Sequence, residues 1–113
     1  MKHFLNIDEI SSKEILKIIK TSHKLKKNYG KIYLKKKKIL GMIFEKPSTR
    51  TRVSFEVGIK QMGGDVVVLD QNDSQLGRGE SLNDTVKVLS RYVDVIMYRG
   101  KEEKNLYEIS KVS

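Results

Sequence analysis

Ser48-Thr49-Arg50-Thr51-Arg52 packs three hydroxyls and two guanidiniums into five consecutive positions. Hydroxyls donate to oxyanions, and a guanidinium offers a planar fork of N–H groups that matches phosphate oxygens. Ser48 is also a natural helix cap, preceded by Pro47, which restricts Lys46. A helix opening at this point would add free backbone N–H groups and the positive end of its dipole. The chemistry of the cluster is therefore phosphate-type anion binding. The plainer alternative is a capped helix with exposed arginines.

Two other segments carry polar groups suited to the same task. Residues 70–81 form a long polar run in which Gly77 and Gly79 permit unusual backbone angles, and Gln75 offers an amide that both donates and accepts. Arg99 follows an apolar run directly. Each also reads as ordinary surface. The two histidines, His3 and His23, lie in the Lys-rich N-terminal third and read as surface residues, with no histidine–carboxylate pair at metal-ligand spacing. There is no Walker A run, no G-x-G-x-x-G and no cysteine, which excludes those nucleotide sites, disulfides, thiolate metal sites and cysteine nucleophiles.

The elements that must position these groups follow from hydrophobic spacing. Residues 11–28 predict a helix: Ser11 and Glu14 fit a capping box, Ile15, Ile18, Ile19, Ser22 and Leu25 share a face, and Asn28 and Gly30 end it. Three apolar runs, at 39–44, 66–69 and 93–98, the last with Asp94 near its start, predict strands covered on both faces, the habit of parallel sheets. Between them lie helical segments at about 51–62, closed by Gly63-Gly64, and about 82–92, opened by Ser81 and Asp84. A last helix is expected at 102–112. Alternating helix and strand imply an α/β fold, a three-layer αβα arrangement on a parallel sheet with right-handed crossovers. Ligands of such sheets bind beyond the carboxyl ends of the strands. That rule selects residues 45–52, 70–81 and 99–101.

The 113 residues set one domain at most, with 38% hydrophobic and 33% charged residues and a formal charge of +9. That charge is lopsided. Residues 1–38 hold 12 Lys against Asp8, Glu9 and Glu14, whereas 39–113 are balanced. A Lys-rich third without arginine reads as a solvated face, and the alternative is a nucleic-acid or anion-binding module without catalysis. No run nears the ~18 apolar residues of a membrane span, and no signal-type apolar run opens the chain, so a cytoplasmic protein is expected.

The stretch Phe44-Glu45-Lys46-Pro47-Ser48-Thr49-Arg50-Thr51-Arg52-Val53-Ser54-Phe55-Glu56 resembles the carbamoyl phosphate signature of the aspartate/ornithine carbamoyltransferase family. Gln75-Leu76-Gly77-Arg78-Gly79-Glu80-Ser81-Leu82-Asn83-Asp84-Thr85 and Leu89-Ser90-Arg91-Tyr92-Val93-Asp94, ending in Met97-Tyr98-Arg99, resemble it as well, as does the opening helix with its Leu5-Asn6-Ile7 lead-in. The likeness spans essentially the whole chain. Ser74 followed by Gln75-Leu76-Gly77-Arg78 has the form of the ornithine branch, where aspartate relatives carry a Ser and a Lys. Lys46 and Tyr98 lean the same way. An aspartate- or putrescine-specific relative is the alternative.

The resemblance implies that Ser48, Thr49, Arg50 and Thr51 bind the phosphate of carbamoyl phosphate and that Arg99 reaches phosphate and carbonyl oxygens. Arg50 and Arg99 are thus the implied catalytic residues. Gln75 would belong to a loop reaching a neighbouring subunit of a homotrimer, and Arg52 would orient the loop or an interface. The implied reaction is carbamoyl transfer to ornithine in arginine biosynthesis, without metal or other cofactor, nucleic acid or membrane. The family's later His-Pro-x-Gln stretch and its ornithine-binding domain are not among these 113 residues. The expectation is an incomplete carbamoyl phosphate-binding domain over 1–113, truncated at its C-terminal end, that binds the phosphate compound and does not turn over alone, ornithine being bound only in the full-length enzyme.

Overall fold

Three serines start three helices. Ser11, Ser48 and Ser81 are each extended, and each side chain accepts the backbone N–H three residues on, from Glu14, Thr51 and Asp84. Each serine thereby satisfies one of the donors that a helix start leaves without an intrahelical partner. The computed structural model describes residues 3–28, 34–70, 81–100 and 102–113. The chain divides into two compact units, Met1–Tyr33 and Leu34–Ser113.

In the first unit a 3-10 turn, Ile7–Glu9, is capped by Asn6, and helix α1 spans Ser12–Lys27. Asn28 closes α1 with its backbone and side-chain amides, both donating to the Lys24 carbonyl. The other expected stop, Gly30, lies outside the described residues.

The second unit runs β1 (Ile39–Phe44), α2 (Thr49–Gln61), β2 (Asp65–Asp70), α3 (Leu82–Leu89), β3 (Val95–Arg99) and α4 (Glu103–Val112). The sheet is parallel, with order β2-β1-β3. Side chains alternate across β1. Leu40, Met42 and Phe44 pack with Ile59 of α2, Val66, Val68 and Met97 on one face. On the other face Ile43 packs with Val86 and Leu89 of α3 and Ile109 of α4. These are the three layers expected.

Coverage of the sheet is less complete than the apolar runs predict. Only β1 is buried along almost its whole length, while β2 and β3 alternate or stay half-exposed. The reason is topological. β1 is central and the other two strands are edges, each covered chiefly on one face, so Val67 and Val95 remain 40% and 58% exposed. The third strand also begins at Val95, not Val93. Asp94 spends its carboxylate on the Ile39 N–H (2.8 Å) and its own N–H on the Ile39 carbonyl (2.9 Å), clasping β1 before β3 starts. The helix expected to reach Tyr92 ends at Leu89, where Ser90 turns its hydroxyl back to the Val86 carbonyl.

Candidate functional site

β1 connects through α2 on one face of the sheet, and β3 leads into α4 on the other. The two strands are adjacent, so their following segments part at the carboxyl edge, the kind of switch point where open α/β sheets bind ligands. Phe44 stands in register with Arg99, and the Glu45 N–H extends the ladder by one bond to the Arg99 carbonyl at 2.9 Å.

Ser48 begins the cluster beyond that edge. Its Oγ accepts the Thr51 N–H at 3.3 Å and donates to Thr51 Oγ1 at 2.8 Å. Arg99 Nη1 donates to the same Thr51 Oγ1 at 3.3 Å. Both acceptor positions of the Thr51 hydroxyl are then occupied, which leaves its own hydrogen to donate outward. Ser48 and Thr51 are half-buried, while Thr49, Arg50 and Arg99 are exposed. Helix α2 therefore starts one residue after Ser48, two residues before the spacing predicts.

Thr49 and Arg50 are the first two residues of α2, and their backbone N–H groups have no acceptor among the described residues. The first turn carries no acidic residue. The positive end of the helix dipole thus meets Arg50 and Arg99 instead of a carboxylate that would neutralise it. Together these groups can bind and polarise an oxyanion. The cluster acts by hydrogen bonding and charge.

The structure brings Ser48, Thr51 and Arg99 into one hydrogen-bonded group. Thr49 and Arg50 flank it by position, with no side-chain bond to it. Gln75 lies outside the described residues. Arg52 turns away along α2, its Nε 3.8 Å from Glu56, which also binds Lys60 at 2.8 Å. The Lys60 hydrogen bond holds the Glu56 carboxyl below its ordinary value, and Arg52's charge acts the same way. Among the described residues no group of His, Cys, Asp and Glu could hold a metal ion, and no helix is long and apolar enough to cross a membrane.

Two features escaped the sequence. One is a chain of polar side chains, with Asn105 donating to the Tyr98 phenol and the phenol donating to Glu45. The signal available was position alone, since Glu45 and Tyr98 adjoin the selected rim. The other is an apolar depression of about 300 Å³ between α2 and β1, lined by Leu40, Ser54, Phe55, Gly58, Ile59 and Met62. It has no charged group to meet an anion.

The family model for the aspartate/ornithine carbamoyltransferase carbamoyl-P binding domain matches residues 2–113. Ornithine carbamoyltransferases from Caldicellulosiruptor saccharolyticus and Campylobacter fetus are 47% and 48% identical to all of this chain. The chain spans 38% of the length of each. Among solved structures, the anabolic ornithine carbamoyltransferase of Campylobacter jejuni superposes with a TM-score of 0.90 at 42% identity, covering 100% of this chain and 37% of that one. The aspartate transcarbamoylase catalytic subunit of M. jannaschii gives 0.89 at 37% identity, covering 100% and 38%.

Proposed function

Because this chain belongs to the aspartate/ornithine carbamoyltransferase family, through its carbamoyl-P binding domain, we propose that the α2 cap and Arg99 bind carbamoyl phosphate. The observation that carries the reading is the Arg99–Thr51 hydrogen bond at the capped start of α2, beside two backbone N–H groups that have no acceptor among the described residues. Ser48, Thr49, Arg50 and Thr51 hold the phosphate through hydroxyls, backbone N–H groups and a guanidinium. Arg99 bridges phosphate and carbonyl oxygens. Gln75 adds a contact from a loop that serves a neighbouring subunit.

In the whole protein the reaction is carbamoyl transfer to ornithine, giving citrulline and phosphate. The neutral δ-amine attacks the carbonyl carbon, so a C–N bond forms. The tetrahedral intermediate then expels phosphate by breaking the C–O bond, and the amine loses a proton. Arg99 stabilises the charge that develops on the carbonyl oxygen, and the fixed donors position the leaving group. The identities to ornithine carbamoyltransferases favour ornithine over aspartate as acceptor. We extend the reading to a cytoplasmic homotrimer in arginine biosynthesis, with residues 1–113 as its carbamoyl phosphate-binding domain.

Calorimetric titration of carbamoyl phosphate into the 113-residue chain tests the site. Binding is expected for the wild type and is lost in Arg50→Ala and Arg99→Ala. Equal affinity in wild type and Arg50→Ala would sink the reading.

A further inference from the structure

Glu45 touches β3 twice. Its backbone N–H donates to the Arg99 carbonyl, and its carboxylate accepts the Tyr98 hydroxyl. The phenol oxygen also accepts from Asn105 Nδ2 at 3.3 Å, which ties in the third residue of α4. All three side chains are half-buried at the sheet's carboxyl edge. Gly100 makes room for this arrangement, because a Cβ there would overlap the Tyr98 phenol oxygen and ring. Glu45, Asn105 and Gly100 thus all serve one phenol.

We propose that Tyr98 is a positioning residue for the anion site, its phenol clamped between Glu45 and Asn105 so that the ends of β1 and β3 stay in register. The proposal rests on the carbamoyl phosphate reading and adds to it the residues that hold the site in shape. Arg99 is the last residue of β3 and its side chain is exposed, so its direction depends on how firmly its backbone is held. Ser48 departs from the end of β1 three residues beyond Glu45. Donors fixed before the anion arrives bind it better than donors that must be ordered by it. The clamp also keeps occupied the one carboxylate that immediately follows β1. A released Glu45 would compete with the anion for a guanidinium.

The test uses the 113-residue chain with inorganic phosphate and carbamoyl phosphate as probes. Three readouts are taken: anion affinity by NMR titration, hydrogen exchange of the Glu45 amide without ligand, and the thermal midpoint. Tyr98→Phe keeps the ring and removes the hydroxyl. It is expected to weaken both anions about tenfold and to speed Glu45 exchange, with the midpoint lowered by the loss of one hydrogen bond to a charged partner. Gly100→Ala, which displaces the ring, is expected to do the same. Glu45→Gln retains an acceptor and should keep affinity within about twofold of wild type. Unchanged Glu45 exchange in Tyr98→Phe overturns the clamp, whatever the anion affinities. Faster exchange with unchanged affinity overturns its link to the site. Failure of the carbamoyl phosphate reading shows elsewhere, as a wild-type chain that binds neither anion.

Discussion

Arg99 and Thr51 are 48 positions apart in sequence, yet the guanidinium Nη1 of one stands 3.3 Å from the hydroxyl oxygen of the other. The contact joins the end of β3 to the first turn of α2, and it exists because the sheet order sets β3 beside β1. Thr51→Val keeps the shape of the side chain and removes its oxygen. The variant frees Arg99, takes from the Ser48 O–H its acceptor and deletes one donor. We expect carbamoyl phosphate affinity to fall about tenfold, with Arg99→Lys little better than Arg99→Ala, because an ammonium lacks the planar fork. Calorimetric titration of the three variants checks this. Wild-type affinity in Thr51→Val would remove the hydroxyl from the site.

Ser48 has two tasks that substitution can separate. It caps α2 through its oxygen, and its position makes it part of the anion cluster. Ser48→Ala loses both, and thermal unfolding should show a stability loss of about 1 kcal/mol. Ser48→Asp keeps a capping oxygen and adds a negative charge favourable to the helix start, so stability should hold. The same charge repels phosphate. We expect Ser48→Asp to unfold near the wild-type midpoint and to show no carbamoyl phosphate binding. Retained binding in that variant would show that the anion sits elsewhere.

What was legible in the sequence was local. The helix caps at Ser11, Ser48 and Ser81, the apolar runs and the Gly63-Gly64 stop each depend on neighbours a few residues away, and the structure has all of them, with the third strand starting at Val95 and not Val93. The cluster Ser48–Arg52 was visible because five consecutive residues carry it. Its early helix start, at Thr49, depends on the Ser48 cap geometry and not on apolar spacing. Strand order was not legible, and that is why the exposure of Val67 and Val95 on edge strands was not foreseen. The Arg99–Thr51 bond and the clamp on Tyr98 join residues 48 and 53 positions from their partners, distances over which no residue pattern signals contact.

Gly63 and Gly64 differ in why they must be glycine. Gly63 has φ 85°, and its N–H returns to the Lys60 carbonyl while that of Gly64 returns to Ile59, the paired bonds of a left-handed helix stop. Gly63→Ala should cost about 1–2 kcal/mol, the penalty of a side chain in that region. A Cβ at Gly64 would stand 2.8 Å from the Lys38 backbone oxygen and 2.7 Å from Ile59 Cγ1. The Lys38 oxygen cannot swing aside, since it accepts the Asp65 N–H that opens the β1–β2 ladder. Gly64→Ala should therefore cost about 1–3 kcal/mol by overpacking. Denaturant unfolding of both variants checks the pair, and a neutral Gly64→Ala would mean that the strand start yields.

The Glu56–Lys60 pair on α2 predicts a pH window for stability. Lys60's hydrogen bond lowers the Glu56 carboxyl below its ordinary value, and Glu56 in turn raises Lys60 above its own. A lowered carboxyl contributes stability that is present above its unfolded value and is lost as pH falls through the folded one. A raised lysine contributes stability that is present below its unfolded value and is lost as pH climbs through the folded one. The two contributions overlap between the ordinary carboxylate and lysine ranges. Glu56→Gln removes both, and it removes the partner of Arg52 as well. Unfolding midpoints of wild type and Glu56→Gln should differ near neutral pH, with wild type higher, and should converge as the pH falls through the lowered Glu56 value and the carboxyl becomes protonated in folded and unfolded chains alike. The pair is exposed, so the neutral-pH gap should narrow as salt is added. A gap that persists undiminished in acid would show that Glu56 acts through packing instead of charge.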